Sequence, residues 1–123
     1  MERFPKTLIN YKTRQGREPF AEWLQELRDS AGQARIVRRL ERVEQGNLGH
    51  YERVGNGVVE LKERFGPGYW VYIGLDGNHL VILLGGGDKS TQKKDIVISQ
   101  GRWLDYKLRK EEERHGTEKN DQG

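Results

Sequence analysis

Residues 58–87 read VVELKERFGPGYWVYIGLDGNHLVILLGGG, and this stretch leaves few options for the fold. VVELKER alternates Val59 and Leu61 against Glu60, Lys62 and Arg64, a period of two that predicts a strand. FGPG makes a turn, YWVYIGL a second strand, DGN a tight Asp-Gly turn, and HLVILLG a third strand. Links this short allow only antiparallel neighbours, so the three strands form a meander. The unbroken LVILL run predicts a strand covered on both faces, hence central in the sheet.

The segments around the meander have a different period. KTLINYK (6–12) predicts a first strand, which RQGREP ends. Pro19 suits the first turn of a helix in which Phe20, Trp23, Leu24 and Leu27 follow at i, i+3, i+4 and i+7. A second helix, QARIVRRLERVEQ, carries Ile36, Val37, Leu40 and Val43 as its apolar stripe. Arg35, Arg38, Arg39 and Arg42 lie around the rest as a solvated face. The break at Ser30 and Gly32 is short enough for a helical hairpin. GNLGHYERVGNG (46–57) reads as a glycine-punctuated loop. From Ser90 a helix is expected with Ile96, Val97, Trp103, Leu104 and Leu108 inward, although IVIS and Gly101 are poor helix formers. Trp23 and Trp103 read as core. The expected order is β-α-α-β-β-β-α, an α+β domain over residues 1–110 with the helical hairpin packed on a small antiparallel sheet and a C-terminal helix. Residues 111–123 are read as a charged, disordered tail.

A chain of 123 residues fits one domain. Cysteine is absent, which removes disulfides, thiolate nucleophiles and Cys-ligated zinc together. His50, His79 and His115 lie far apart without metal-ligand spacing, and no metal or cofactor is expected. With no signal peptide and no apolar run near the ~20 residues of a membrane span, the chain reads as soluble and cytoplasmic. The net charge of +3 does not by itself demand a nucleic-acid partner, so the placement of the cations matters more.

LLGGGDKST looks at first like a phosphate-binding loop. The spacing fails, because G-x-x-x-x-G-K-[ST] with Lys89 as its lysine needs glycines where Leu83 and Asp88 stand. A carboxylate directly before the lysine would repel the phosphates. The cations of the meander suggest a different site. Lys62 and Arg64 are two apart and share a face with Glu60, Trp70 and Tyr72 share a face of the next strand, and Lys89 follows the last. If these faces coincide they form a basic groove with aromatic surfaces, suited to single-stranded RNA. The same alternation also fits the solvated side of a sheet, with Trp70 and Tyr72 packed under the hairpin. A register change of one residue decides between these arrangements.

GREPFAEWLQEL, RIVRRLERVEQGNLG, VGNGVVELKERFGPGYWVYI and VILLGGGDKSTQKKDI together resemble the RelE/ParE superfamily of bacterial toxins, specifically its short HigB-like addiction-module killer proteins, over roughly residues 7 to 107. The resemblance implies a toxin of a type II toxin–antitoxin system, held in check by a cognate antitoxin, often a helix-turn-helix protein that also binds operator DNA. The toxin itself would meet DNA only through that partner, and no membrane is involved. Many members are ribosome-dependent, metal-independent endoribonucleases that cut mRNA and so inhibit translation. Attack of a 2′-OH on the adjacent phosphate needs a proton acceptor, a donor to the leaving oxygen, and positive charge around the developing phosphorane.

By the resemblance, Lys62 matches a basic strand residue and serves as base or phosphate contact, and Lys89 matches the cation that stabilises the transition state. Arg64 is a further phosphate contact, and Tyr69, Trp70 and Tyr72 are candidates for stacking RNA bases. Gln92 matches the motif as an RNA-binding candidate, though it and Asp95 also suit local bonding and capping of the last helix. One departure stands out, since relatives usually read Tyr-Arg after FGPG, and that arginine contacts the scissile phosphate. Here the pair is Tyr69-Trp70. Loss of such a guanidinium costs about 10²–10³ in rate. The segment IVIS is a second departure. Two alternatives therefore stay open: a ParE-like toxin that targets DNA gyrase, and a catalytically weak relative that mainly binds its antitoxin.

Overall fold

The computed structural model describes residues 4–121. Strand β1 (Thr7–Asn10) leads to helices α1 (Pro19–Glu26) and α2 (Ser30–Glu44). Strands β2 (Tyr51–Arg53), β3 (Val58–Glu63), β4 (Tyr69–Asp76) and β5 (Leu80–Asp88) follow. A single 3-10 turn (Lys89–Thr91) then enters helix α3 (Gln92–Asp121). The architecture is α+β, and the five strands lie in the order β1-β5-β4-β3-β2.

Two expectations about the sheet need correction. It is mixed rather than antiparallel, because β1 runs parallel to β5 with Thr7 opposite Leu80 and Asn10 opposite Leu83. No turn joins these strands, so no local link fixed their relative direction. The sheet also has a strand more than expected, β2, within the segment read as a loop. All three of its residues are exposed, so it carries no apolar alternation; its pairing with β3, Tyr51 opposite Leu61, holds it in place.

Each face of the sheet has its own core. Phe20 of α1 and Ile36, Leu40 and Val43 of α2 pack on Val59, Leu61, Val71, Ile73, Val81 and Leu83. On the opposite face Trp103 of α3 packs with Tyr11, Val58, Tyr72, Ile82 and Leu84. Residues 81–84 therefore alternate between two covered faces, as the unbroken apolar run predicts, and β5 is an interior strand. Asp29 caps α2 by accepting from the Gly32 amide at 2.9 Å, and its other oxygen accepts the Tyr69 hydroxyl at 2.8 Å. That pair ties the start of the hairpin's second helix to β4. A Cβ on Gly32 would lie 2.7 Å from the Tyr69 ring, so the close approach requires glycine there.

Helix α2 departs from its expected stripe. Val37 is exposed while Arg39 is buried. Arg39 stands three residues after Ile36 and four before Val43, which places it on the inward side of the helix. In α3, IVIS is helical despite its β-branched residues, since Ile96 and Ser99 pack against the sheet and tertiary contact overrides propensity. Val97, Leu104 and Leu108, expected inward, are exposed. The helix is described through Asp121 and so enters the segment expected to be a disordered tail. Its side chains from Glu111 to Gly116 are exposed. Among the described residues no helix is long and apolar enough to cross a membrane.

Candidate functional site

The register of β3 and β4 settles how the cations and rings are arranged. Lys62 lies opposite Trp70 and Glu60 opposite Tyr72, so all four share one face. That face is the one α3 covers, which makes part of it interior. Tyr72 is fully buried and Glu60 is buried, and Gln92, at the start of α3, donates its side-chain amide to the Glu60 carboxylate at 3.0 Å. Burial, reinforced by the neighbouring Glu60 carboxylate, pushes the Tyr72 phenol well above its ordinary value. Its hydroxyl has no partner in hydrogen-bonding geometry. The sequence-predicted role of Tyr72 as a stacking surface is corrected on this ground, because no face of its ring reaches solvent.

Tyr69 is corrected for a different reason. It alternates to the hairpin face, where it is buried against Trp23 and bonded to Asp29. Burial and the Asp29 carboxylate raise its pKa to about 12. Trp70 is half-buried, with its ring edge against Gly68 and its indole N–H buried without a partner. Gln92 is bonded within the fold rather than free for RNA.

At the open end of the face the cations are more accessible. The Lys62 ammonium, with a side chain 20 % exposed, donates to Glu52 at 2.9 Å. The Lys62 hydrogen bond holds the Glu52 carboxyl below its usual range. Arg64 is exposed just past β3. Lys89 is exposed one residue past β5 and borders a shallow cavity of about 370 Å³ with Pro67, Asp88 and Ser90. The 3-10 turn that carries Lys89 is capped by Asp88, which accepts from the Ser90 amide at 2.8 Å. Lys62, Arg64, Trp70 and Lys89 thus gather at one end of the sheet, and Tyr69 and Tyr72 do not join them.

Gly85, Gly86 and Gly87 belong to β5 rather than to a loop. A Cβ on Gly85 would stand 2.9 Å from the Arg102 guanidinium, one on Gly86 would overlap the Trp23 ring, and one on Gly87 would overlap Asp95. The run is glycine because side chains press on the strand from both faces. Asp95 in turn accepts the Thr91 hydroxyl at 2.6 Å, the local bonding its position suggests.

Two residues important to this end were missed in the sequence. Glu52, the partner of Lys62, lies in a strand without apolar signal. Arg39 donates to the carbonyls of Leu48 at 3.0 Å, Lys62 at 2.7 Å and His50, with Glu63 at 3.5 Å. It therefore fastens the backbone that carries Lys62, and its helical spacing was the available signal. Among the described residues no group of three His, Asp or Glu side chains could hold a metal ion.

The chain is thus a small α+β protein with a cation-lined end to its sheet. It is 46% identical over 77 residues to an uncharacterized protein of Haemophilus influenzae, an alignment covering 63% of this chain and 78% of that one, and it belongs to the same family. No family model matches the sequence, and no solved structure matches it.

Proposed function

We propose that this chain is a HigB-like toxin of the RelE/ParE superfamily, acting as a ribosome-dependent, metal-independent mRNA endoribonuclease. The observation that carries the reading is the pairing of Lys62 with Trp70 across two strands, with Lys89 leaving the same end of the sheet. A cation opposite a ring, with a second cation at the same end of the sheet, suits a phosphate and its adjacent base. The RelE-like fold plan belongs to the same proposal, supported by the helical pair after β1 and the closing helix, while the additional strand β2 and the parallel β1–β5 pairing set the observed order apart from it. In this mechanism Lys62 contacts the scissile phosphate and Lys89 stabilises the charge that develops on it. Arg64, exposed just past β3, is the candidate to take over the phosphate contact of the arginine absent at position 70. A cognate antitoxin, the ribosome and cytoplasmic mRNA are the partners this activity requires.

The test is growth of a bacterial host on induction. Lys62→Ala and Lys89→Ala should each relieve arrest while the purified variants keep the wild-type melting temperature. Full toxicity in both variants would refute the site. A second reading, a catalytically weak relative that mainly binds its antitoxin, is favoured by the engagement of Lys62 with Glu52 and the burial of Tyr69 and Tyr72. It predicts no arrest by the native chain, with activity gained in Trp70→Arg.

A further inference from the structure

The start of α3 separates its charges by sign. The segment from Asp88 to Asp95 reads DKSTQKKD. Its carboxylates are engaged within the fold: Asp88 accepts from Ser90, and Asp95 accepts from Thr91 at 2.6 Å. Glu60, the nearby carboxylate on the sheet, is buried and accepts from Gln92. Lys89, Lys93 and Lys94 are all exposed, and among the described residues none has a carboxylate partner.

Nothing in the fold rewards this placement. The first turn of a helix is the positive end of its dipole, where cations are disfavoured and acids are stabilising. Three neighbouring ammonium groups also repel one another. Their position gives them an external use. Lys89 follows Asp88, which is paired with Tyr69 at the beginning of β4, next to the Lys62–Trp70 pair. Lys62 on β3 and Asp88 on β5 are separated only by β4, roughly 10 Å at the usual strand spacing. Lys93 and Lys94 are exposed in the first turn of α3, four and five residues after Lys89.

We propose that Lys93 and Lys94, continuing from Lys89, form a docking ridge for the phosphate backbone of RNA beyond the scissile position. The inference rests on the RNA-cleaving reading and adds to it a binding track outside the reacting groups. A strand held at Lys62 and Trp70 passes the start of α3, where the lysines neutralise successive phosphates. Counterion release then supplies sequence-independent affinity.

The experiment is fluorescence anisotropy of the full chain with a labelled 12-nucleotide single-stranded RNA across a salt series. The Lys93→Ala/Lys94→Ala variant should bind about 25-fold more weakly at 0.1 M salt, since two lost contacts reduce the log–log salt slope by about 1.4. Its melting temperature should not fall, because the substitutions remove cations from the unfavourable end of the helix. Unchanged affinity and slope in the variant, with the native chain binding RNA, would overturn the ridge and leave the cleavage reading untouched. Failure of the native chain to bind the RNA would overturn the ridge as well, and mRNA cleavage in cells would then judge the activity separately. Equal binding of a charge-matched poly-glutamate would overturn the assignment to RNA.

Discussion

Replacing Arg39 by Ala should destabilise the protein far more than its place among four arginines of one helix suggests. The residue is 7 % exposed, and its guanidinium donates to three backbone carbonyls that bring together the 48–50 segment and the end of β3. Burial lowers its pKa despite the Glu63 carboxylate at 3.5 Å, so the guanidinium is held in a partly desolvated setting. Hydrogen bonds to a charged donor are worth about 1.5–3 kcal/mol each, and they are not additive. Removing one partner of a buried charged network costs about 3–5 kcal/mol, because the groups left behind lose their partners. At roughly 4 °C per kcal/mol for a domain of this size, the melting temperature should fall by about 12–20 °C. Arg39→Lys keeps the charge but cannot reach three carbonyls at once, and should fall between the two. The assay is urea unfolding read by tryptophan fluorescence, with hydrogen exchange at residues 48–50 and 62 as a local probe. A loss below about 1 kcal/mol for Arg39→Ala, the scale of one ordinary hydrogen bond, would refute the reasoning.

Gly86→Ala should cost about 1–3 kcal/mol through overlap with the Trp23 ring, read by thermal melting, whereas Gly101→Ala, with open space at its Cβ, should raise stability by up to about 1 kcal/mol. Stability should decline in acid. The Lys110 and Tyr106 hydrogen bonds depress the Asp76 carboxyl, and the Tyr11 hydrogen bond depresses Asp105. A lowered folded pKa gives stability that is present above the ordinary carboxylate value of about 4 and lost as pH falls through the lower folded value. Asp105→Asn should flatten part of that decline in a pH series of melting temperatures. In alkali the sign reverses: Tyr69 and Tyr106 are raised to about 12, so their contribution is complete below about 10 and lost as pH rises toward 12. Tyr69→Phe should weaken that dependence.

The meander was legible because its turns and two-residue period are local signals, but the register that sets Lys62 against Trp70 was left open by the sequence and came from the fold. What covers each face was not local. Tyr69 and Tyr72 lie three residues apart and so point to opposite faces, yet both are buried because the hairpin covers one face and α3 the other. A strand pattern with one aromatic on each side does not reveal that both sides are covered. The parallel pairing of β1 with β5 joins residues some seventy positions apart, beyond the reach of any turn rule. Glu52 escaped notice because a three-residue edge strand with every side chain exposed leaves no hydrophobic imprint. The glycine run departs from a nucleotide loop in its spacing, while its cause in the fold, side chains pressing on β5 from both faces, is a packing effect.

The most direct test of the proposed activity is brief induction of the native chain in a bacterial host, followed by primer extension on an abundant translated mRNA. The account predicts new 5′ ends within translated codons that vanish when initiation is blocked and are absent for Lys89→Ala. Growth arrest with intact mRNA would contradict it and point to a gyrase-type target; no arrest at all would contradict it and select the catalytically weak relative.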